Sequence, residues 1–106
     1  MARRSNVTAM TLTGPLVLTE ADVANSFMIA IDPGGAVRNV DLPATSAALK
    51  GQTFVIINTS GGAFALTVRL TGGGATVATI GQSQNATFYC WSATAGSWQG
   101  SVGKAA

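Results

Sequence analysis

Four carboxylates (Glu20, Asp22, Asp32 and Asp41), one thiol (Cys90) and no histidine make up the chain's stock of strong acids, bases and metal ligands. Without histidine, Ser-His-Asp and Cys-His nucleophile arrangements are excluded, and so are the usual zinc sites. Glu20 and Asp22 are close in sequence, but carboxylate pairs that do acid–base work need a cleft and separated pKa values. A calcium site wants several oxygen ligands in one loop, and no loop here carries them. Asp32 precedes Pro33-Gly34-Gly35, where aspartate commonly initiates a turn. Gly72-Gly73-Gly74 lacks the spacing and following helix of a phosphate-binding loop, and Ala75–Ile80 after it is strand material. Cys90 lies among Phe88, Tyr89 and Trp91 and reads as a small buried hydrophobe. The chain is therefore expected not to be an enzyme, and no cofactor or metal is expected.

Binding surfaces are the remaining possibility. Tyr89, Trp91 and Trp98 admit two readings. In one, Trp91 and Trp98 stack across a final hairpin and close the core. In the other they form an exposed aromatic platform for a sugar or a neighbouring subunit. Arg3 and Arg4 sit in a polar segment, Met1–Asn6, that reads as a flexible N-terminal arm.

The elements that must hold these residues are strands. Phe64, Leu66, Val68 and Leu70 alternate with Ala63, Ala65, Thr67 and Arg69, the period of a half-buried strand. Gln52 to Asn58 is apolar on both faces through Phe54-Val55-Ile56-Ile57, which predicts a central strand covered on both sides by a second sheet or another subunit. Ser26–Ile31 and Ala36–Leu42 flank Asp32-Pro33-Gly34-Gly35 and read as a hairpin. Thr19 and Asp22 are spaced as a helix cap, though no long helical pattern follows. Ser46–Lys50 reads as one helical turn closed by Gly51. Val7–Leu18, Val77–Ile80, Ala86–Trp91 and Trp98–Val102 supply the other extended segments. About eight strands, with turn signals roughly every 8–12 residues, predict an all-β fold, a single-domain antiparallel β-sandwich or small β-barrel. The expected division is an arm over 1–6 and one β-domain over 7–106. No strict sequence repeat is visible.

Composition narrows the class of partner. The chain has 106 residues, 47% of them hydrophobic, but only 9% are charged. About a quarter is usual, so Thr, Ser, Gly and Ala stand where a monomer carries Lys and Glu. Such an exterior is expected to be largely hidden in an assembly. The net charge of +2 forms no basic stripe, so nucleic acid is not an expected partner. No apolar run approaches the ~20 residues of a membrane helix, and no membrane partner is expected. MARRSNVTAM lacks the apolar stretch of a secretion signal. One cysteine cannot close an internal disulfide.

Leu18-Thr19-Glu20-Ala21-Asp22, Arg38-Asn39-Val40-Asp41-Leu42-Pro43, Lys50-Gly51-Gln52-Thr53-Phe54-Val55-Ile56-Ile57-Asn58 and Phe88-Tyr89-Cys90-Trp91 leading to Trp98 together carry a resemblance. Over Leu18–Gln99 the chain resembles small β-structured virion proteins of tailed bacteriophages, most of all capsid decoration (cement) proteins. That resemblance implies a trimer made in the bacterial cytoplasm that binds the major capsid protein on the outer surface of the head and stabilises the lattice. It also implies capsid or subunit contacts for Arg3, Arg4, Trp91 and Trp98. Similar modules occur in head and tail fibres, where the role would be binding a host receptor or glycan. The chain's own start, short polar tail and lack of heptads or shaft repeats favour decoration.

Overall fold

A computed structural model describes residues 7–25, 27–94 and 96–104. Its strands are β1 (Val7–Thr11), β2 (Leu16–Val17), β3 (Met28–Asp32), β4 (Arg38–Asp41), β5 (Thr53–Asn58), β6 (Leu66–Arg69), β7 (Thr76–Ile80), β8 (Gln84–Cys90) and β9 (Trp98–Lys104). One short helix, α1 (Glu20–Asn25), joins β2 to β3. The fold is all-β, as the spacing of turn signals predicts. The arm expected over Met1–Asn6, with Arg3 and Arg4, lies outside the described residues.

The strands form a five-stranded sheet, β1-β3-β5-β8-β9, facing a four-stranded sheet, β2-β4-β6-β7. The chain alternates between the sheets from β1 to β6, so each consecutive pair of strands makes one rung of a flattened coil. Strands of successive rungs are parallel: β1 to β3, β3 to β5, β2 to β4 and β4 to β6. Then β6–β7 turns back antiparallel at Gly72 and Gly73, both at positive φ. β8 pairs antiparallel with β5, and β9 with β8. The sheets are thus mixed, where a wholly antiparallel arrangement is expected from sequence.

The difference lies in the connections. Asp32–Gly35 does reverse the chain, but it carries β3 across to the opposite sheet instead of into a hairpin with β4. Gly34 and Gly35 have φ of 77° and 85°, a region that costs other residues steric strain. Gly34 N–H donates to Asp32 Oδ1 at 2.9 Å, and Arg38 Nε donates to Pro33 O at 2.8 Å. The turn presses on the preceding rung so closely that a Cβ on Gly34 would overlap the Leu12 carbonyl oxygen.

The core lies between the sheets. Ile29, Ile31, Phe54, Ile56, Ala86 and Phe88 meet Val40, Leu42, Leu66, Val68, Ala78 and Ile80, all buried. Phe54 stacks on Phe88 with ring centroids 5.5 Å apart. The alternation across β6 holds, with Leu66 and Val68 turned inward. Asn58 is a buried polar residue at the edge of this interior. It stands in the ladder position opposite Ile31, which itself lies opposite Met10. Its Nδ2 donates to Phe64 O (2.8 Å) and Ile80 O (3.0 Å), and its Oδ1 accepts from Ser60 N–H (2.9 Å). One side chain thereby ties the end of β5 to the crossing loop and to the facing sheet.

At the other end the crossings stack on one another. Thr19 and Asp22 form the reciprocal cap that their spacing suggests, at 2.8 and 3.2 Å, and α1 runs on from it. Ser46 Oγ, in the next crossing, donates to Glu20 Oε2 at 2.9 Å. Lys50 N–H closes a helical turn on Ser46 O, and Gly51 ends it at φ 85°. Thr45 Oγ1 donates to Thr94 O at 2.8 Å.

Candidate interaction surface

Each carboxylate is engaged in building the fold. Glu20 accepts from Ser46, Asp22 caps α1 and Asp32 holds its turn. Asp41 pairs with Arg69 Nε at 2.8 Å across neighbouring strands. Cys90 is buried. Among the described residues, no three His, Cys, Asp or Glu side chains gather where they could hold a metal ion.

Registers and strand alternation define what each sheet shows to the outside. In the five-stranded sheet, one outer row reads Val7, Met28, Val55, Thr87 and Ser101. The next reads Ala9, Ala30, Ile57, Asn85 and Gly103, and a third Thr53, Tyr89 and Gln99. Thr11 and Asp32 complete the face at one end. Asp32 is its single charge, and that carboxylate is taken up by its own turn. The four-stranded sheet is the opposite. Its outer side carries Asn39, Thr67 and Thr79 in one row and the exposed Val17, then Asp41 beside Arg69, in another. The two outer faces of one small domain therefore differ in character: one is apolar across β1, β3 and β5 with its single charge held in a turn, the other is mostly polar and carries an ion pair. Val55 and Ile57 account for the apolar outer half of the central strand, and both are half-buried.

The two tryptophans separate. Trp98 is 4% exposed, edge-on to Phe54 at 5.7 Å, and its Nε1–H donates to Pro43 O at 2.9 Å. It is a core residue and belongs to no surface. Trp91 is 56% exposed and Tyr89, two residues before it on β8, is 44% exposed. Across the hairpin the partner of Trp98 is Cys90, with Trp91 N–H donating to Ser97 O, so the two indoles do not stack across the hairpin. The expected pair is replaced by Tyr89 and Trp91, which share a parity in the chain and stand at one margin of the uncharged face. Trp98→Phe keeps the ring packing but leaves the Pro43 carbonyl without its donor, a loss of about 1–3 kcal/mol. Trp91→Phe changes stability by less than about 0.5 kcal/mol. Denaturant melts of both variants check this. Iodide quenching of the Trp98→Phe protein should be strong and that of Trp91→Phe weak.

The remaining residues of the face escape a reading of the sequence, because Val7, Met28 and Ala30 become neighbours of Val55 and Ile57 only through the parallel register. No family model, curated protein or solved structure matches this chain.

Proposed function

We propose that this protein is a structural component of a tailed-phage virion, a decoration protein that seats on the outer surface of the capsid and stabilises its lattice. The observation that carries this reading is the uncharged outer face of the five-stranded sheet, set against the polar outer face of its partner sheet. A surface with Val7, Met28, Val55 and Ile57 in neighbouring strands and no free charge suits burial against protein. The engagement of every carboxylate, in a turn, a cap, an ion pair and a hydrogen bond between crossings, agrees with a structural role. The resemblance of Leu18–Gln99 to phage head proteins supplies the partner, the major capsid protein. The energetic logic is mass action: a protein that binds only the assembled lattice shifts the equilibrium toward it.

Quantitative mass spectrometry of purified virions tests the proposal. Decoration requires a copy number comparable to that of the major capsid protein. A few copies per particle would instead support a fibre module, and absence from particles would end both readings. The exposed Tyr89 and Trp91 favour the fibre alternative, because adjacent exposed aromatics can stack on a glycan. That alternative requires saturable quenching of Trp91 fluorescence by sugars, and the decoration reading requires none.

A further inference from the structure

The two ends of the coil are finished differently. At the far end β9 packs back on β7. A Cβ on Gly100 would come within 2.8 Å of the Phe88 ring and 3.2 Å of Val77 Cγ1, so only glycine lets the strands approach this way. At the near end the first rung stops at β1 and β2, each of which pairs on one side only among the described residues.

The hydrogen bonds fix which groups of β1 face outward. Leu12 N–H donates to Asp32 O, with Asp32 opposite Thr11. In a parallel ladder this turns the backbone of Met10 and Leu12 toward β3. The N–H and C=O groups of Val7, Ala9 and Thr11 therefore point away from the sheet. By the same argument Leu18 N–H, bonded to Asp41 O, leaves the backbone of Val17 facing outward from the other sheet. Soluble proteins protect such edges with lysine, inward-pointing charge, proline or bulges. The stretch from Val7 to Thr19 contains no charged residue, and its one proline, Pro15, lies between the strands. β1 itself is regular over all of its registered residues.

We propose that the β1 edge is a self-association site, at which β1 pairs antiparallel with β1 of a second copy about a two-fold axis through Ala9. The occupant follows from the symmetry of the edge. The outward-facing residues 7, 9 and 11 are centred on Ala9, so a two-fold axis sets Ala9 opposite Ala9, and Val7 opposite Thr11, as hydrogen-bonded pairs. Three such pairs supply about six N–H···O bonds. The facing side chains are small and uncharged, so nothing repels an identical copy. The axis stands normal to the sheet, which keeps the uncharged outer faces on one side and doubles that surface. An isologous contact closes on itself and does not propagate into fibres.

The test uses the full chain in solution and does not depend on where the protein acts. Light scattering after size exclusion should give twice the 10.7 kDa of one chain. Ala9→Lys places two ammonium groups opposite each other, and Ala9→Glu two carboxylates. Each should weaken the dimer by about two- to fivefold. An equimolar mixture of Ala9→Lys and Ala9→Glu should restore it, because only residue 9 opposite residue 9 turns repulsion into attraction. Ala9→Pro removes an outward N–H that makes no sheet bond among the described residues and should give a folded monomer by circular dichroism. A monomeric wild type at millimolar concentration overturns the proposal, as does the trimer that the phage resemblance implies. A dimer indifferent to Ala9→Lys, or charge variants that mixing fails to rescue, overturns it as well.

Discussion

Asn58→Ala should destabilise the protein by about 3–4 kcal/mol and lower Tm by on the order of 15 °C. The substitution removes three hydrogen bonds at a residue that is 1% exposed. The Phe64 and Ile80 carbonyls lose their shared donor, and the Ser60 N–H loses its acceptor. A buried polar group left unpaired carries its full desolvation cost, which is larger than the net value of the bond. Asn58→Asp separates donor loss from cavity formation. A protonated carboxyl can still donate to one of the two carbonyls, whereas the ionised form faces both as an anion. Burial beside acceptors raises the folded-state pKa of the introduced acid above its unfolded value of ~3.9. The unfolded state then releases its proton first, so stability falls as pH rises above that value. Melts at pH 3.5 and 7 should show the variant closer to wild type at the lower pH. Equal deficits at both would show that the site does not raise the introduced acid's pKa, against the expected anion–carbonyl repulsion.

Gly34→Ala should be nearly as damaging, and Gly35→Ala should not. The two glycines are adjacent, and both have positive φ. Any side chain at either position costs about 1 kcal/mol in backbone strain. At Gly35 that is the whole effect, since an added Cβ meets nothing within 4 Å. At Gly34 the Cβ runs into the Leu12 carbonyl, which belongs to backbone and cannot rotate away as a side chain would. Relief requires lifting the turn from the rung beneath it, with loss of the Leu12 N–H bond to Asp32 O. The expected cost is about 3 kcal/mol for Gly34→Ala. Denaturant midpoints of the two variants give the comparison directly, and equal shifts would refute the close stacking of the turn on the first rung.

Local features were legible in the sequence where a single strand or turn decides them. The inward turn of Leu66 and Val68, the cap between Thr19 and Asp22, the turn at Gly72-Gly73 and the helical turn closed by Gly51 all follow from neighbours in the chain, whereas the strand expected over Ala63–Leu70 is shorter, and Phe64 and Leu70 lie outside it. The order of strands does not. Asp32–Gly35 has the residues of a hairpin turn, and nothing in those residues says whether the next strand returns to the same sheet or crosses to the facing one. The repeat of rungs is equally hidden. Val7 lies over Met28 and Met28 over Val55, unequal intervals with little residue identity between them. Trp91 and Trp98 illustrate the same limit. Both flank a small-residue loop, and only strand parity sends one to the core and the other to water. The uncharged face depends wholly on register, so its central members, Val55 and Ile57, were visible as an apolar strand while their neighbours were not.

The parallel winding also sets an order of events for a chain leaving the ribosome. The first rung emerges early and has nothing to pair with, because its strands await β3 and β4, which in turn need β5 and β6. The pairs with short connections, β6 with β7 and β8 with β9, are made last in synthesis. Loop closure favours these late, local pairs as the seed of folding. Within this unit, folding should therefore run from the late hairpins back toward the first rung.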